Sequence, residues 1–194
     1  MHHIYHTHGY ILGSRNSGEA NKMLIIYTRE LGLVRAVAQG IRLSKSKLRF
    51  SLQDFSYAKI DFVRGRDVWR VTSASTITSF PYARSDRDSF LLLARVSALL
   101  ERLCDGEESH QTIFDECIDA FHLLDVPHFE KESREALELH LVLRILHTLG
   151  YIGESDILTS YLTSAFDESH TGALLRERQA IVMHINKALR ESHL

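Results

Sequence analysis

Residues Gly18–Phe50 read GEANKMLIIYTRELGLVRAVAQGIRLSKSKLRF, and this stretch decides the fold of the first half of the chain. Two runs rich in β-forming residues, Met23–Thr28 and Val34–Ala38, are joined by a short segment that ends in Gly32. A short, glycine-containing connection between two such runs predicts a β-hairpin. After Gly40 the pattern breaks, and the sequence predicts a loop or a short helix that leaves the hairpin.

The segment that leaves the hairpin is basic. It carries Arg42, Lys45, Lys47 and Arg49, with the apolar residues Leu43, Leu48 and Phe50 among them. Cations that are concentrated beside a sheet can follow a phosphate backbone. This segment is therefore the first candidate for a nucleic-acid-binding surface.

Charge is divided unevenly along the chain. Through Phe80 there are 12 Lys and Arg against 5 Asp and Glu, which gives a net charge of +7. From Pro81 onward there are 11 against 20, which gives −9. Such asymmetry indicates a nucleic-acid surface on the first half only. The alternative is a solvated face that happens to be basic.

Three more strands are predicted around the hairpin. One runs from about Tyr5 to Ser14, before it. Asp54–Val63 alternates with period two, and its large apolar residues fall on two faces, which predicts a bulge or a twist near Ala58. After a turn at Arg64–Asp67, a fifth strand runs from Val68 to Ile77. Five short strands with an inserted segment between the third and the fourth match a small OB-type barrel, one topology among several.

Barrels of this type bind single strands with a cationic groove and with aromatic platforms on which bases stack. The candidate cations, too many to bury, are Arg35, Arg42, Lys45, Lys47, Arg49, Arg64, Arg66 and Arg70. The candidate platforms are Tyr27, Phe50, Tyr57 and Trp69. For each aromatic residue a place in the core is the more common alternative, because a small barrel needs large side chains inside.

Beyond Phe80–Pro81 the hydrophobic periodicity becomes helical, and we predict a domain boundary there. Ser85–Asp88 resembles a capping box that opens a helix ending at Gly106. A second helix stops before Pro127. A third, from Ser133 to Leu149, is apolar on most faces and is predicted to be central. Shorter helical patterns cover Asp156–Phe166 and Leu174–Arg190.

Four features of the first half, in their order and spacing, resemble the N-terminal domain of RecO, the bacterial recombination mediator. They are Gly18–Asn21, Thr28–Gly32, Ala38–Gly40 and Lys45–Arg49. The resemblance covers residues 5 to about 80 well, and Leu143–Tyr151 is similar to a Leu-x-x-Leu-Gly-Tyr step of the RecO helical domain. It implies a two-domain protein, β then α. Residues 1–80 would form a five-stranded OB-fold barrel, and residues 81–194 an all-α helical bundle.

The resemblance also implies a function. A RecO-like protein binds single- and double-stranded DNA, anneals complementary strands and assists recombinase loading on strands coated by single-strand-binding protein. It works with RecR and is expected in the cytoplasm, at the nucleoid. The helical domain of the family receives the acidic C-terminal tail of the single-strand-binding protein. Candidate residues for that tail are Arg95, Arg102 and Arg144, with ordinary ion pairs within the helices as the alternative.

The sequence gives no pattern for catalysis or for a cofactor. A P-loop, a GxGxxG turn and a GxSxG elbow are all absent from it. His2, His3, His6 and His8 have no carboxylate or cysteine at ligand spacing, so we expect them to be solvated. Many RecO proteins carry a four-cysteine zinc site, but Ile152–Phe166 contains no cysteine and none is expected here.

The remaining expectations concern the thiols and the cell compartment. Cys104 and Cys117 do not form a CxxC pair and are predicted to be buried free thiols. Neither a membrane-spanning run nor the apolar stretch of a signal peptide is present, so a cytoplasmic location is the default expectation. Two other functions stay open: an RNA-binding OB module with a helical dimerisation domain, and a metal-dependent hydrolase that uses the N-terminal histidines.

Overall fold

A computed structural model describes residues 3–66, 68–104, 106–153, 158–163 and 166–191. The first half contains the strands β1 (Ile4–Ser17), β2 (Asn21–Thr28), β3 (Gly32–Ala38), β4 (Tyr57–Arg64) and β5 (Trp69–Thr78). They form a closed barrel in the order β1-β2-β3-β5-β4. All pairs are antiparallel except β3 with β5, which run parallel and close the barrel. The prediction of a five-stranded OB-type barrel is confirmed.

The β2–β3 hairpin forms as the glycine spacing predicts. Its pairing runs from Lys22 opposite Ala38 to Thr28 opposite Gly32. Gly32 has a φ of 69°, in the left-handed region that glycine adopts without strain. The Thr28 hydroxyl donates to the Gly32 carbonyl at 2.8 Å and accepts the Leu31 amide at 3.1 Å, which fixes the turn.

Bulges let these strands curve into a barrel. The predicted irregularity near Ala58 is confirmed by a register shift between Tyr57 and Ala58, and a second shift follows between Asp61 and Phe62. The long strand β1 has its own shift between Ile11 and Gly13. Because bulges bend a strand and increase its twist, β1 can pair with β2 along one part and with β4 along another.

The helices of the structure are α1 (Leu48–Ser51), α2 (Pro81–Ser85), α3 (Arg87–Leu103), α4 (Gln111–Leu124), α5 (Lys131–Thr148), α6 (Thr159–Thr163), α7 (Thr171–Arg176) and α8 (Arg178–Glu191). Within the segment that resembles a capping box, Asp86 is the residue that caps α3, because its carboxylate accepts the Ser89 amide at 2.9 Å. The Ser85 hydroxyl instead donates to the Tyr82 carbonyl at 2.9 Å and closes α2.

Helix α5 is central, as its apolar faces predict, and it contacts α3, α4, α6, α7 and α8. The helical pattern predicted for Leu174–Arg190 is confirmed, and the structure divides it into two helices that separate at Glu177. Hydrophobic periodicity continues through such a break and cannot reveal it. The pattern over Asp156–Phe166 lies partly outside the described residues, and α6 is the helix that the structure describes within it.

The barrel has two apolar faces, one inside and one outside. Its interior is filled by side chains such as Ile26, Ile60 and Phe62. On the outside, Tyr10 and Tyr27 lie in the same hydrophobic cluster as the helices. Phe80 is completely buried in that cluster, where its ring lies 5.9 Å from that of Phe121. Strands therefore give way to helices between Thr78 and Pro81, and the helices cover one outer face of the barrel.

Across the part of the chain that the structure describes, none of the helices is long and apolar enough to cross a membrane.

Candidate nucleic-acid interface

The basic segment predicted from the sequence, Ile41–Phe50, forms a loop that leads into the first residues of α1, and we call this segment the basic loop. Its first end is anchored to the β1–β2 turn, because the Arg42 amide donates to the Ala20 carbonyl at 3.0 Å. The amide of Gly40 donates to the Asn21 side chain at 2.9 Å just before it. Ile41 at its start and Leu52 just after it are buried in the barrel core. The loop is thus fixed at both ends on the barrel.

The cations of the basic loop are accessible. The side chains of Arg42, Lys45, Lys47 and Arg49 are exposed. Within the described ranges none of them forms an ion pair with a carboxylate. Phe50 in the same loop is 71% exposed, although it is a large apolar residue. The loop therefore offers unneutralised positive charge beside an uncovered aromatic ring.

Four other predicted cations lie on β3, β4 and β5 and in the β4–β5 turn. We call Arg35, Arg64, Arg66 and Arg70 the turn group. Arg64 pairs with Glu107 at 3.0 Å, and Arg35 lies 4.0 Å from Glu101. Arg66 and Arg70 are exposed and have no ion pair among the described residues. Part of the turn group is thus already neutralised by the chain's own carboxylates.

Two of the predicted aromatic platforms lie in cores. Trp69 is 5% exposed, and its indole N–H donates to Glu107 at 2.7 Å. Tyr27 is 1% exposed and packs against Phe114 of α4. Neither ring has a free face, so the core alternative applies to both. Tyr57 is half-buried between His8 and Phe114, which leaves Phe50 as the most accessible candidate.

Sequence reasoning missed two cations, Lys22 on β2 and Arg84 on α2. Both line a cavity of about 540 Å³ together with Arg42 and Arg49 of the basic loop. Lys22 is a single cation in an otherwise ordinary strand, and Arg84 lies beyond the predicted domain boundary. Only the packing of α2 against the barrel brings them together, and no local pattern signals it.

Of the three cations predicted to bind the acidic tail of a partner protein, two are paired with carboxylates of the chain and one is not. Arg95 forms a two-bond pair with Glu138, at 2.5 and 2.7 Å, and Arg144 forms one with Glu116. These pairs join different helices, α3 to α5 and α4 to α5, so the alternative of ion pairs within one helix is wrong in its geometry. Arg102 is exposed and has no ion pair within the described part of the chain.

Arg144 borders an apolar cavity of about 210 Å³ between α4 and α5, which Leu123, Leu141 and His140 also line. His140 is 4% exposed, and burial lowers its pKa to about 4. Its Nδ1 atom has no hydrogen-bond partner within the structure. The cavity is therefore mainly apolar, with the neutral His140 side chain as a buried polar group in its wall. Glu116 and Asp119 also line it.

The N-terminal histidines and the cysteines behave as ordinary residues. His6 pairs with Asp61 at 2.6 Å on the barrel surface. Among the described residues no group of three or more potential ligands could hold a metal ion. Cys104 and Cys117 are buried and free, as predicted, and burial raises the pKa of both thiols.

Comparison with known proteins gives a consistent result. Residues 1–80 match the family described as Recombination protein O N terminal. The chain is 26% identical to DNA repair protein RecO of Alkaliphilus metalliredigens over 180 residues, which is 92% of this chain and 70% of that protein. It is 30% identical to the RecO of Heliobacterium modesticaldum over 151 residues, 78% of this chain and 53% of that protein. With the RecO of Desulfitobacterium hafniense it shares 27% over 148 residues, 76% and 52% of the two chains. The chain thus spans about half the length of the latter two relatives.

Proposed function

We propose that the chain, whose residues 1–80 match the N-terminal domain of the RecO family, is a recombination mediator of DNA repair. It binds single- and double-stranded DNA, anneals complementary strands and assists recombinase loading on strands coated by single-strand-binding protein. The observation that carries this proposal is the basic loop. Four exposed cations without carboxylate partners lie there on a rigid barrel, beside an exposed aromatic ring.

The proposed mechanism needs no covalent step. Two complementary strands repel each other through their phosphates, and cations that neutralise both backbones lower that repulsion. Stacking of a base on Phe50 would hold a strand with its base-pairing edge uncovered, and such stacking contributes about 1–3 kcal/mol per base. The protein then acts by bringing strands together in a pairing-competent state.

The first test is charge reversal in the basic loop. The triple variant Lys45→Glu, Lys47→Glu, Arg49→Glu is expected to abolish binding to a labelled oligonucleotide while the thermal unfolding temperature stays near that of the parent. A matched control reverses three exposed cations of the helical half, Lys131, Arg178 and Lys187, and is expected to keep most of the affinity. An equal loss in both variants would show that net charge alone matters and would reject the basic loop as the site.

Salt dependence gives an independent measure. If about six cations contact single-stranded phosphates, the slope of log K against log salt is expected near −4, from about −0.7 per contact. An affinity that does not change with salt would contradict electrostatic binding.

A DNA strand is expected to compete for the protein at least as well as an RNA strand of equal length. A clear preference for RNA would favour an RNA-binding module that reads 2′-hydroxyl groups.

We also propose that the helical half receives the acidic C-terminal tail of the single-strand-binding protein and that the protein cooperates with RecR. Arg144 stands beside an apolar cavity, but Arg95 and Arg144 would have to exchange their own glutamates for the tail. Arg102 needs no such exchange. Annealing of strands coated by the single-strand-binding protein is expected to slow when that protein lacks its tail, and unchanged annealing would reject the contact.

A further inference from the structure

The cavity lined by Lys22 and Arg84 lies where the basic loop meets the helical half, and most of its polar lining residues are cations. Four cations line it: Lys22 from β2, Arg42 and Arg49 from the basic loop, and Arg84 from α2. One carboxylate, that of Asp54, lies among them. We call this space the junction cavity. It has a volume of about 540 Å³, in the range of sites that hold a small organic ligand.

Three of the four cations are held in place by neutral acceptors. Arg42 donates to the Gly18 carbonyl at 3.0 Å, Lys22 donates to the Ser14 hydroxyl at 3.1 Å, and Arg84 donates to the Asp54 carbonyl. None of the four cations has an ion-pair partner among the residues that the structure describes. Neutral acceptors fix the position of a cation without cancelling its charge. The positive charges in the cavity are therefore available to an anion, and the concave shape of the cavity concentrates their electrostatic potential.

This pattern differs from that of three arginines that connect elements of the fold elsewhere in the chain. Arg29, Arg95 and Arg144 each bind a carboxylate with two hydrogen bonds and connect elements of the fold. The charge of these arginines is neutralised by the carboxylates that they bind. The cations of the junction cavity are not neutralised in this way and can bind an anion from solution.

The remaining lining consists of Gln53 and three apolar residues. Of these three, Ile41 and Leu52 are 3% and 2% exposed, whereas Phe50 is 71% exposed. A bare phosphate would leave most of this space and the aromatic ring unused. A nucleotide has an anionic group for the cations and a flat base for the ring, and aromatic rings bind unpaired bases by stacking.

We infer that the junction cavity binds one nucleotide of single-stranded DNA, with its phosphate among the four cations and its base on Phe50. This inference rests on the proposed function and adds to it a defined subsite. Bases in a duplex are stacked and paired, so they cannot enter the cavity. The subsite therefore favours single strands over duplexes. It also extends the DNA-binding surface beyond the barrel, because Arg84 belongs to the helical half.

The test uses the full chain and removes the two cations that lie outside the basic loop. The double variant Lys22→Gln, Arg84→Gln is expected to weaken binding to a labelled oligothymidylate about tenfold and binding to a duplex of equal length about twofold or less. The matched control Lys59→Gln, Arg87→Gln removes one exposed cation from β4 and one from α3, away from the cavity. It is expected to affect both ligands equally and weakly. Equal effects of the two double variants would overturn the inference.

Two further variants separate charge and stacking from structure. Arg84→Lys keeps the cation and is expected to restore most of the affinity that Arg84→Gln loses, whereas no restoration would assign Arg84 a structural role. Phe50→Ala is expected to lose single-strand affinity and to keep duplex affinity, and equal losses would exclude stacking. If reversal of the basic loop abolishes binding while the cavity variants leave strand preference unchanged, the inference fails and the proposed function stands. If reversal of the basic loop leaves binding intact, the proposed function itself fails.

Discussion

At the scale of single residues, Glu107 determines how much of the barrel's charge is available. One of its carboxylate oxygens accepts the Trp69 indole N–H at 2.7 Å, and the other accepts from Arg64 at 3.0 Å. The Arg64 guanidinium lies 5.1 Å from the centre of the Trp69 ring. Glu107 thus satisfies a buried donor and at the same time neutralises one member of the turn group.

Replacing Glu107 with Gln is expected to raise the affinity for DNA about three- to fivefold at low salt, because glutamine keeps an acceptor for the indole but leaves Arg64 unpaired. Fluorescence anisotropy with a labelled duplex measures the change. Glu108→Gln is the matched control, since Glu108 is exposed and adjacent and has the same charge. If both variants raise the affinity equally, the effect comes from net charge and the contact to Arg64 is irrelevant.

His140 links stability to pH. Burial holds its pKa at about 4 in the folded protein, whereas the unfolded chain protonates it near pH 6.5. Between these values the unfolded state binds more protons, so stability is lost as the pH falls. From pH 7 to pH 5 this group is expected to contribute a loss of about 2 kcal/mol.

Urea unfolding of the parent protein and of His140→Leu at both pH values measures that contribution by difference. The variant is expected to lose less stability on acidification than the parent, because the leucine has no proton to bind. An identical pH dependence in the two proteins would show that His140 titrates normally in the folded state.

At the scale of elements, the hairpin and the loop that follows it could be predicted because their signals are local. A glycine at the turn, alternating β-forming residues and a run of cations all lie within Gly18–Phe50. The break at Glu177 could not, since the helical period continues through it. The same holds for the junction cavity, whose cations come from β2, the basic loop and α2. Local patterns predict elements, and the packing between elements remains outside their reach.

The β2–β3 turn also serves as the docking point for the segment between α3 and α4. A Cβ atom at Gly32 would approach the backbone nitrogen of Glu108 to 2.8 Å, and the Leu33 amide donates to the Gly106 carbonyl at 3.0 Å. Gly32→Ala therefore introduces both a left-handed alanine and an overlap with backbone that cannot move freely. It is expected to destabilise the protein by about 3 kcal/mol or more.

Gly18→Ala is the matched control for that prediction. Gly18 has a similar φ of 66°, but a Cβ atom there would meet nothing within 4 Å. Its alanine variant is expected to lose only about 1 kcal/mol, the cost of the backbone conformation. Chemical denaturation of both variants gives the difference, and equal losses would mean that the α3–α4 segment does not pack on the turn.

At the scale of the whole molecule, the sequence predicts a barrel and a helical half but not the face that they share. The outer apolar face at Tyr10 and Tyr27 becomes visible only in the structure, where the helices cover it. The same ambiguity affected the aromatic candidates. Tyr27 and Trp69 are buried in hydrophobic cores, whereas Phe50 is exposed, although all three are large aromatic residues in or near strands. Composition cannot separate them, because the difference lies in what packs against each ring.

The shared face predicts that the barrel and the helices unfold together. Trp69 is the single tryptophan of the chain and reports on the barrel, whereas circular dichroism at the helical wavelength reports mainly on the second half. The two signals are expected to give the same midpoint in urea, as cooperative units do. Two separated midpoints would show that the halves fold independently and that the contact between them contributes little.

The closing pair of the barrel has one more consequence. Strands β3 and β5 meet at the described pairs Ala36–Trp69 and Val37–Arg70, and the like charges of Arg35 and Arg70 stand on either side of that seam. Like charges that are close across neighbouring strands weaken the sheet. A polyanion lying over the seam would contact cations of both strands and brace the barrel where its ladder is shortest. The amide protons of Ala36 and Val37 are then expected to exchange with solvent more slowly when DNA is bound, because the ligand would stabilise the strand pair that closes the barrel.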